Sequence, residues 1–286
     1  CLKMVQAAEK GYIGPIPRII HTNRGICATG GHGWTGDCLQ VDGPDAIRQA
    51  IRLEIREGAD WIKLMSSHRS DVCEYTQEEL KAAVDEAHRH KVKIAVHAGT
   101  QPSIGMCIDA GFDTIEHGTF MTVEQAGQMR EKGLAWVPTI IAYTYAYEYL
   151  SERRSAPPAN STDRTSLIFF SYFENAYLAY KNNFRALYDT GVTVCCGTDM
   201  VLLGAPTVPV ARELQYMVDY GITPVQAIAT ATGNCAKVLD RSGQIGELIP
   251  GAEADILVVE GNASQDIKAL NHVKEVFLKG QSVHRA

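Results

Sequence analysis

A repeated pairing of an amphipathic helix with a short apolar strand runs through most of the sequence. Apolar residues at helical spacing predict a helix over residues 45–57, and a short buried strand at 61–65 follows Gly58. Further strands of this kind are predicted at residues 18–21, 91–96, 112–116, 135–137 and 192–196. Strands that alternate with helices are expected to be parallel and joined by right-handed crossovers, so the pattern predicts an α/β barrel or a doubly wound sheet.

Residues typical of helix starts support this alternation. Thr76 with Glu79 three positions later forms a capping box, and Thr122 is placed to cap a helix that runs to Lys132. A shorter helix is predicted over residues 103–110, before Gly111. The helices therefore begin and end where the repeat requires.

An aromatic-rich stretch from residue 140 to 180 interrupts the repeat, around a polar loop at 151–164. A long insertion after a strand is often a lid over an active site, and it can equally be an extra packed helical hairpin; the two are compatible. Strands predicted at 254–259 and 273–283 form a small all-β element. We therefore expect a barrel domain over residues 1–243 and part of a β-sandwich domain over 244–286.

The composition narrows the class of partner. A net charge of −6, a pI of about 5.9 and the absence of long like-charge blocks argue against nucleic acid and anionic membranes as partners. Charged residues or glycine interrupt every apolar run before it could span a bilayer. Eight cysteines without a CxxC pair favour free thiols and a cytoplasmic location. We expect a small-molecule substrate, with homo-oligomerisation left open.

Four ionisable residues fall at the carboxyl ends of predicted strands: Lys63, His97, His117 and Asp199. Active sites of parallel barrels are built at that face, because the loops there converge on the axis. Two histidines and a carboxylate suit Zn²⁺ or a similar divalent ion. A lysine ammonium group would repel a metal, whereas carboxylation by CO₂ would convert it into an anionic carbamate.

Each of these residues also has a structural explanation when taken alone. A histidine at a strand end is often a hydrogen-bonded structural group, a lysine can extend to water, and an aspartate can cap the next segment. The coincidence of all four at the same end of successive units favours the metal site.

Short motifs around these residues resemble the amidohydrolase superfamily, and within it the imidazolonepropionase-like and prolidase-like branch. The resemblance covers essentially the whole chain. The matching segments are GADWIK (58–63), VHA (96–98), IEHG (115–118), GTD (197–199), TGGHG (29–33) and GELIPGAEADILVV (246–259).

The resemblance implies a TIM-like (β/α)8 barrel with two divalent metals, usually Zn²⁺, bridged by carboxylated Lys63. His97 and His117 would bind the second metal, while Asp199 would bind the first and act as general base and acid. The implied reaction is hydrolysis of an amide or cyclic amide C–N bond, as in a dipeptide or N-acyl amino acid.

The resemblance also suggests residues that face the substrate. His32 is a candidate for polarising the carbonyl or holding a substrate carboxylate, although a histidine in a glycine-rich turn is an equal alternative on spacing alone. Gly99 and Tyr143 are further candidates for substrate binding. Gly99 stands where prolidase-like members often have an aromatic or polar side chain, which counts against dipeptidase specificity.

One departure from the family pattern concerns the first strand. The family carries a His-x-His pair there for the first metal, and the sequence contains no such pair. We therefore expect the first strands of the barrel to be missing from this chain, and the chain by itself to be inactive.

Three alternatives remain beside amide hydrolysis. A metal-activated hydroxide also attacks phosphotriesters and lactones, so hydrolysis of another ester-type bond is the nearest alternative. A non-catalytic barrel serving as a binding or assembly module would be expected to lose its metal ligands, which are present here. A doubly wound nucleotide-binding fold would need a phosphate loop leading into a helix, and residues 29–33 do not lead into one.

Overall fold

The computed structural model describes residues 2–14, 16–67, 71–154, 164–199 and 209–285. The chain divides into two compact units, Cys1–Trp136 and Val137–Ala286.

The first unit is a parallel sheet in which a helix precedes each strand from the third onward. Its helices are α1 (Leu2–Glu9), α2 (Pro44–Arg56), α3 (Gln77–Arg89), α4 (Ser103–Ala110) and α5 (Val123–Lys132). Its strands are β1 (Gly25–Cys27), β2 (Cys38–Gln40), β3 (Trp61–Met65), β4 (Lys93–Ala98), β5 (Thr114–His117) and β6 (Ala135–Val137). The strand order is β2-β1-β3-β4-β5-β6, and the pairs β1/β2, β1/β3, β3/β4 and β4/β5 are parallel. The predicted α/β class with a parallel sheet is confirmed.

Local sequence determines where these helices begin and end. Thr76 and Glu79 form the predicted capping box at the start of α3, and Thr122 forms one with Gln125 at the start of α5. Gly111 ends α4 in the left-handed conformation, with φ 88°. These short-range hydrogen bonds satisfy helix-end groups that would otherwise lack a partner.

Burial alternates along β3. Ile62 and Leu64 are fully buried, whereas Lys63 between them is partly exposed. Because successive side chains of a strand point to opposite faces, one face of the sheet packs into the core and the other carries Lys63. Helix α2 contributes Ile47 and Ile51 to the core.

The strand predicted at residues 18–21 is wrong, since the described chain has no strand between residues 16 and 24. In this loop, the backbone of His21 forms hydrogen bonds with Asp60. The His21 N–H donates to the Asp60 carboxylate at 3.0 Å, and the His21 carbonyl accepts from the Asp60 N–H at 2.9 Å. Pro17 has no N–H to contribute to a ladder. The first strand of this sheet is therefore β1, just before residues 29–33.

In the parts of the second unit that the structure describes, five α-helices precede a small antiparallel sheet. Its helices are α6 (Ile140–Arg154), α7 (Arg164–Asp189), α8 (Pro209–Asp219), α9 (Pro224–Thr230) and α10 (Gly233–Val238), with a 3₁₀ helix at Ile267–Asn271. Its strands are β7 (Thr193–Val194), β8 (Ile256–Val259), β9 (Val273–Leu278) and β10 (Gln281–Arg285). Strands β8, β9 and β10 form an antiparallel sheet in the order β10-β9-β8, where the sequence predicts an all-β element.

Helices α6 and α7 contain the aromatic-rich stretch and pack through their rings. Tyr147 stacks on Tyr177 with ring centroids 4.7 Å apart, and Tyr143 lies 5.8 Å from Tyr180. The predicted helical hairpin is thus observed as two packed helices. Most of the loop predicted at 151–164 lies outside the described residues, so its role as a lid stays a prediction.

Two general expectations can be compared with the structure. In the described parts of the chain, no helix combines the length and apolar character needed to cross a membrane. The seven cysteines within these parts are all free thiols.

Candidate active site

The register of the parallel strands gathers chemically active side chains on one face of the first unit's sheet. Met65 pairs with His97, and His97 pairs with Glu116. Lys63 precedes Met65 by two residues and therefore shares its face, because side chains alternate with a period of two. Lys63, His97 and Glu116 consequently lie on the same side of β3, β4 and β5.

Lys63 forms an ion pair with Glu116. The Nζ of Lys63 contacts Oε2 of Glu116, and the two side chains are only 15% and 27% exposed. A partly buried ammonium group is stabilised by such a partner. Glu116 was missed as a site residue from the sequence, although it directly precedes His117; the signal that could have found it is its match to the register of Lys63 and His97.

His117 reaches the same cluster through an unusual backbone conformation. It ends β5 with φ 68°, in the left-handed region that residues other than glycine rarely adopt. Its buried imidazole lies against that of His97, with ring centroids 4.5 Å apart in an edge-to-face arrangement. Strand alternation alone would direct His117 to the face opposite Glu116, so the turn in the backbone accounts for its place beside His97.

His32 joins the cluster from the loop after β1. Its ring stacks on that of His97, with centroids 4.1 Å apart and an interplanar angle of 25°. The backbone N–H of His32 donates to Oε2 of Glu74 at 2.8 Å. A Cβ atom added to the neighbouring Gly31 would lie 2.5 Å from that same oxygen, so glycine is needed for Glu74 to hold the loop.

The surroundings keep the central imidazoles neutral. Burial lowers the pKa of His97 well below its ordinary value, and the nearby His117, His32 and Lys63 lower it further. Burial likewise lowers the pKa of His117, with added contributions from Lys63 and His32. A neutral imidazole has a lone pair available to bind a metal or accept a proton.

Hydrogen bonds from neighbouring residues hold the backbone of this cluster. Ser66 donates from its hydroxyl to the carbonyl oxygen of His97 at 2.6 Å, and the backbone N–H of Gly99 donates to the hydroxyl of Ser67 at 3.3 Å. The indole N–H of Trp136 donates to the carbonyl oxygen of His117 at 2.7 Å. The side chains of Ser66, Ser67 and Trp136 are buried, and these bonds restrict the positions that His97 and His117 can adopt.

The donor chemistry of this cluster fits a divalent metal ion. Two adjacent neutral imidazoles are suitable ligands, and Lys63 would become an anionic oxygen ligand on carboxylation. Within the described ranges, no three His, Cys, Asp or Glu side chains are gathered closely enough to hold an ion.

The remaining predicted residues occupy defined positions in their own units. Gly99 is buried just after β4, and its carbonyl oxygen accepts from Phe120 N–H at 3.2 Å. Asp199 follows β7 in the second unit with φ 44°, a left-handed conformation like that of His117. Tyr143 is only 7% exposed and packs among the rings of α7. The roles of Asp199, Gly99 and Tyr143 in binding stay predictions.

Comparison with known proteins gives matches over nearly the whole chain. The model of the Amidohydrolase family matches residues 3–283. Ochratoxinase from Aspergillus niger is 32% identical over 255 residues, which cover 86% of this chain and 50% of the relative. Imidazolonepropionase from Geobacillus kaustophilus is 34% identical over 104 residues, or 35% of this chain and 24% of the relative.

Solved structures show the same likeness. The structure of a Xaa-Pro dipeptidase with methionine bound in its active site has a TM-score of 0.85 and 29% identity, and the match covers 100% of this chain and 72% of that one. The match to ochratoxinase, by contrast, spans about half the length of that relative. The resemblance inferred from the short motifs is confirmed.

Proposed function

Because this chain belongs to the amidohydrolase family, we propose that the protein hydrolyses a carbon–nitrogen bond of an amide or cyclic amide. The observation that carries the proposal is the pair of adjacent, neutral imidazoles of His97 and His117 beside Lys63. The likeness to an ochratoxinase and to a Xaa-Pro dipeptidase supports a substrate such as a dipeptide or an N-acyl amino acid.

The proposed cofactor is a divalent metal, Zn²⁺, with two ions in the full-length protein. His97 and His117 would be ligands of one ion, Asp199 a ligand of the other, and carboxylated Lys63 would bridge them. A bound metal would supply Lewis acidity to the substrate carbonyl and lower the pKa of a water molecule. The imidazoles of His97 and His117 would provide lone pairs for it, since their surroundings keep them unprotonated.

The side chains have distinct roles in this scheme. The Lys63 ammonium group would release two protons to solvent as its nitrogen forms a bond to the carbon of CO₂, which gives an anionic carbamate and leaves Glu116 without an ammonium partner. The Asp199 carboxylate would take the proton of the attacking water and deliver it to the leaving nitrogen. His32, stacked on His97, would polarise the substrate carbonyl or bind a substrate carboxylate. Gly99 and Tyr143 would contact the rest of the substrate.

The organisation of the whole protein is also part of the proposal. We propose a barrel domain over residues 1–243 and a segment of a β-sandwich domain over residues 244–286. The antiparallel sheet β10-β9-β8 supports the second of these. The free thiols support a cytoplasmic location, and a homo-oligomer is compatible with the scheme.

Metal content per chain, measured by mass spectrometry on protein purified without chelator, tests the cofactor. Lys63→Ala should lose the bridging ligand and with it most of the bound metal, whereas Lys81→Ala, on an exposed position of α3, should bind as much as the unmodified protein. Absence of metal from all three proteins would contradict the proposed centre.

Activity is tested separately with a panel of dipeptides, N-acyl amino acids, lactones and phosphotriesters. In the full-length protein, amide hydrolysis that is lost in Lys63→Ala and in Asp199→Asn, and kept in Lys81→Ala, is the expected outcome. Turnover of the lactones or phosphotriesters alone would favour the ester-type alternative. Metal binding without turnover of any substrate would favour a binding module.

A further inference from the structure

Two cysteine thiols contact each other in the second unit. Cys195 follows β7 directly, and Cys235 lies on α10. The thiol of Cys195 donates a hydrogen bond to the sulfur of Cys235. The proposed hydrolysis uses neither thiol. Two thiols in direct contact are positioned to be joined by oxidation.

Hydrogen bonds of neighbouring residues hold the two segments together. The side-chain amide of Asn234 donates to the carbonyl oxygen of Val194 at 2.9 Å, although these residues are 40 positions apart. The carbonyl oxygen of Thr230 accepts from the backbone N–H of Cys196 at 2.9 Å and from the thiol of Cys235 at 3.0 Å. The contact between the two sulfur atoms is therefore supported by bonds on both sides of it.

The two thiols differ in their access to solvent. Cys235 is partly exposed, whereas Cys195 is only 4% exposed. The hydrogen bond from Cys195 lowers the pKa of Cys235, against the opposing effect of burial. The same hydrogen bond, together with burial, raises the pKa of Cys195. Because an oxidant reacts first with the more accessible and more readily ionised thiol, Cys235 is the thiol that it attacks.

From this arrangement we infer that Cys195 and Cys235 are a peroxide-sensitive modification site, at which hydrogen peroxide produces a reversible disulfide. The Cys235 sulfur attacks one peroxide oxygen, the O–O bond breaks, and Cys235 becomes a sulfenic acid as one water molecule leaves. The Cys195 sulfur then attacks the Cys235 sulfur, the S–O bond breaks, and a second water molecule leaves. The two thiols lose two electrons, and their protons end in the two water molecules. A thiol reductant reverses the reaction by exchange.

Cys27 and Cys38 of the first unit provide an internal comparison. Their thiols also form a hydrogen bond. Cys27 pairs with Gln40, however, and Cys38 pairs with Gly25 on the neighbouring parallel strand. Strand spacing and rise place Cα atoms that are two residues out of register about 8 Å apart, beyond the roughly 7 Å that a disulfide spans. Cys195 and Cys235 lie outside any shared ladder, so no strand register keeps them apart.

Peptide mapping of the whole chain after brief treatment with a small excess of hydrogen peroxide tests the inference. Remaining thiols are blocked with iodoacetamide, and the digest is analysed by mass spectrometry without reduction. The peptides that contain Cys195 and Cys235 should be joined with the loss of two hydrogens, and dithiothreitol should separate them. Cys27 and Cys38 should be recovered as blocked thiols.

Serine variants assign the two sulfur atoms. Cys196→Ser is the matched control, because Cys196 adjoins Cys195 in sequence, and this variant should form the same disulfide. Cys195→Ser should abolish the disulfide and leave Cys235 as a sulfenic acid that dimedone labels, since the second thiol is missing. Cys235→Ser should abolish both the disulfide and the labelling. Circular dichroism checks that each variant is folded.

Three outcomes would overturn the inference. The first is that Cys195 and Cys235 of the unmodified protein stay thiols after peroxide treatment. The second is that Cys195 forms a disulfide with Cys196 in place of Cys235, or that only Cys27 and Cys38 are joined. The third is that folded Cys195→Ser still shows a reducible bond to Cys235. The first two outcomes need no variant, and none of them bears on the metal content or amide turnover that tests the proposed hydrolysis.

Discussion

The indole N–H of Trp136 donates a 2.7 Å hydrogen bond to the carbonyl oxygen of His117, a residue whose φ is 68°. Trp136 is fully buried, so this bond ties the core of the first unit directly to the histidine cluster. An unusual backbone conformation persists only when its surroundings hold it in place. Trp136 is therefore a positioning residue for His117.

Replacing Trp136 with phenylalanine should destabilise the protein. The change leaves the buried His117 carbonyl without its donor and opens space beside it, so we expect a loss of about 2–4 kcal/mol in the free energy of unfolding. Trp61→Phe is the control, because Trp61 is partly exposed and lies beside Lys93. Urea denaturation monitored by circular dichroism measures both. Equal stability of the two variants would show that the indole bond does not support His117.

Gly118 should not tolerate a side chain. An added Cβ would lie 2.6 Å from Cε of Met121 and 2.8 Å from Nε1 of Trp136, and the φ of Gly118 is 54°. Gly118→Ala should cost about 2–4 kcal/mol, because strain and overpacking add. Gly133→Ala has a similar φ of 72° but nothing within 4 Å, so it should cost only about 1 kcal/mol. Thermal unfolding measures the stability of both variants. Equal stability of Gly133→Ala and Gly118→Ala would show that contacts with Met121 and Trp136 do not destabilise Gly118→Ala.

The buried Glu86 should make stability fall in acid. Hydrogen bonds from Arg52 at 2.6 Å and Arg48 at 3.1 Å outweigh burial and lower the pKa of Glu86 to about 2. In the unfolded chain, the Glu86 carboxylate takes up a proton near the ordinary pKa of 4.5. The stabilisation of the folded chain by ionised Glu86 is therefore fully present above pH 4.5, and it is lost as pH falls toward about 2.

Denaturant midpoints at neutral pH and at about pH 3 measure this effect. Glu86→Gln should remove about 2 kcal/mol of the acid-dependent loss. Glu78→Gln, at an exposed position of the same helix, should leave it unchanged. An acid profile of Glu86→Gln that matches that of the unmodified protein would rule out Glu86 as its source.

Glu213 should have the opposite dependence on pH. Its carboxylate accepts from the N–H groups of Ile140 and Ile141 at 2.9 and 2.6 Å, yet complete burial raises the pKa of Glu213 from 4.5 to about 8. The folded chain then holds a proton that the unfolded chain has released. Stability should therefore fall as pH rises from about 4.5 to 8.

Glu213→Gln removes the titration and should flatten the stability profile over this range, whereas exposed Glu152→Gln should not. Glu213→Ala should cost about 3 kcal/mol near pH 4.5, because two buried N–H groups at the start of α6 lose their acceptor. This cost should shrink as pH rises, because alanine does not titrate. Urea denaturation at several pH values measures each variant. A steep decline that persists in Glu213→Gln would mean that another group titrates.

Much of the first unit was predictable from short stretches of sequence. The capping boxes at Thr76 and Thr122 and the end of α4 at Gly111 depend on residues within one helical turn, so they were found without the fold. The strand ends that carry Lys63 and His97 were also found, because apolar runs of a few residues mark buried strands. The strand predicted at 18–21 failed because the His21 backbone is bonded to Asp60, far along the chain.

The partnerships of the site were decided by tertiary structure. Lys63 and Glu116 are 53 positions apart, and only the register of β3, β4 and β5 brings them together. Glu213 is 73 positions from Ile140, whose N–H it accepts. No local pattern predicts such pairs, since they depend on how distant elements pack.

By itself, the sequence determined the order of helices and strands, the position of ionisable residues at the carboxyl ends of strands, and the family motifs around those residues. These properties follow from interactions between near neighbours, which are the same in any fold that contains the segment. Only the tertiary structure decided that His117 turns to meet His97 and that Trp136 holds it there. Those relationships depend on packing and desolvation, which arise when segments remote in sequence share one interior.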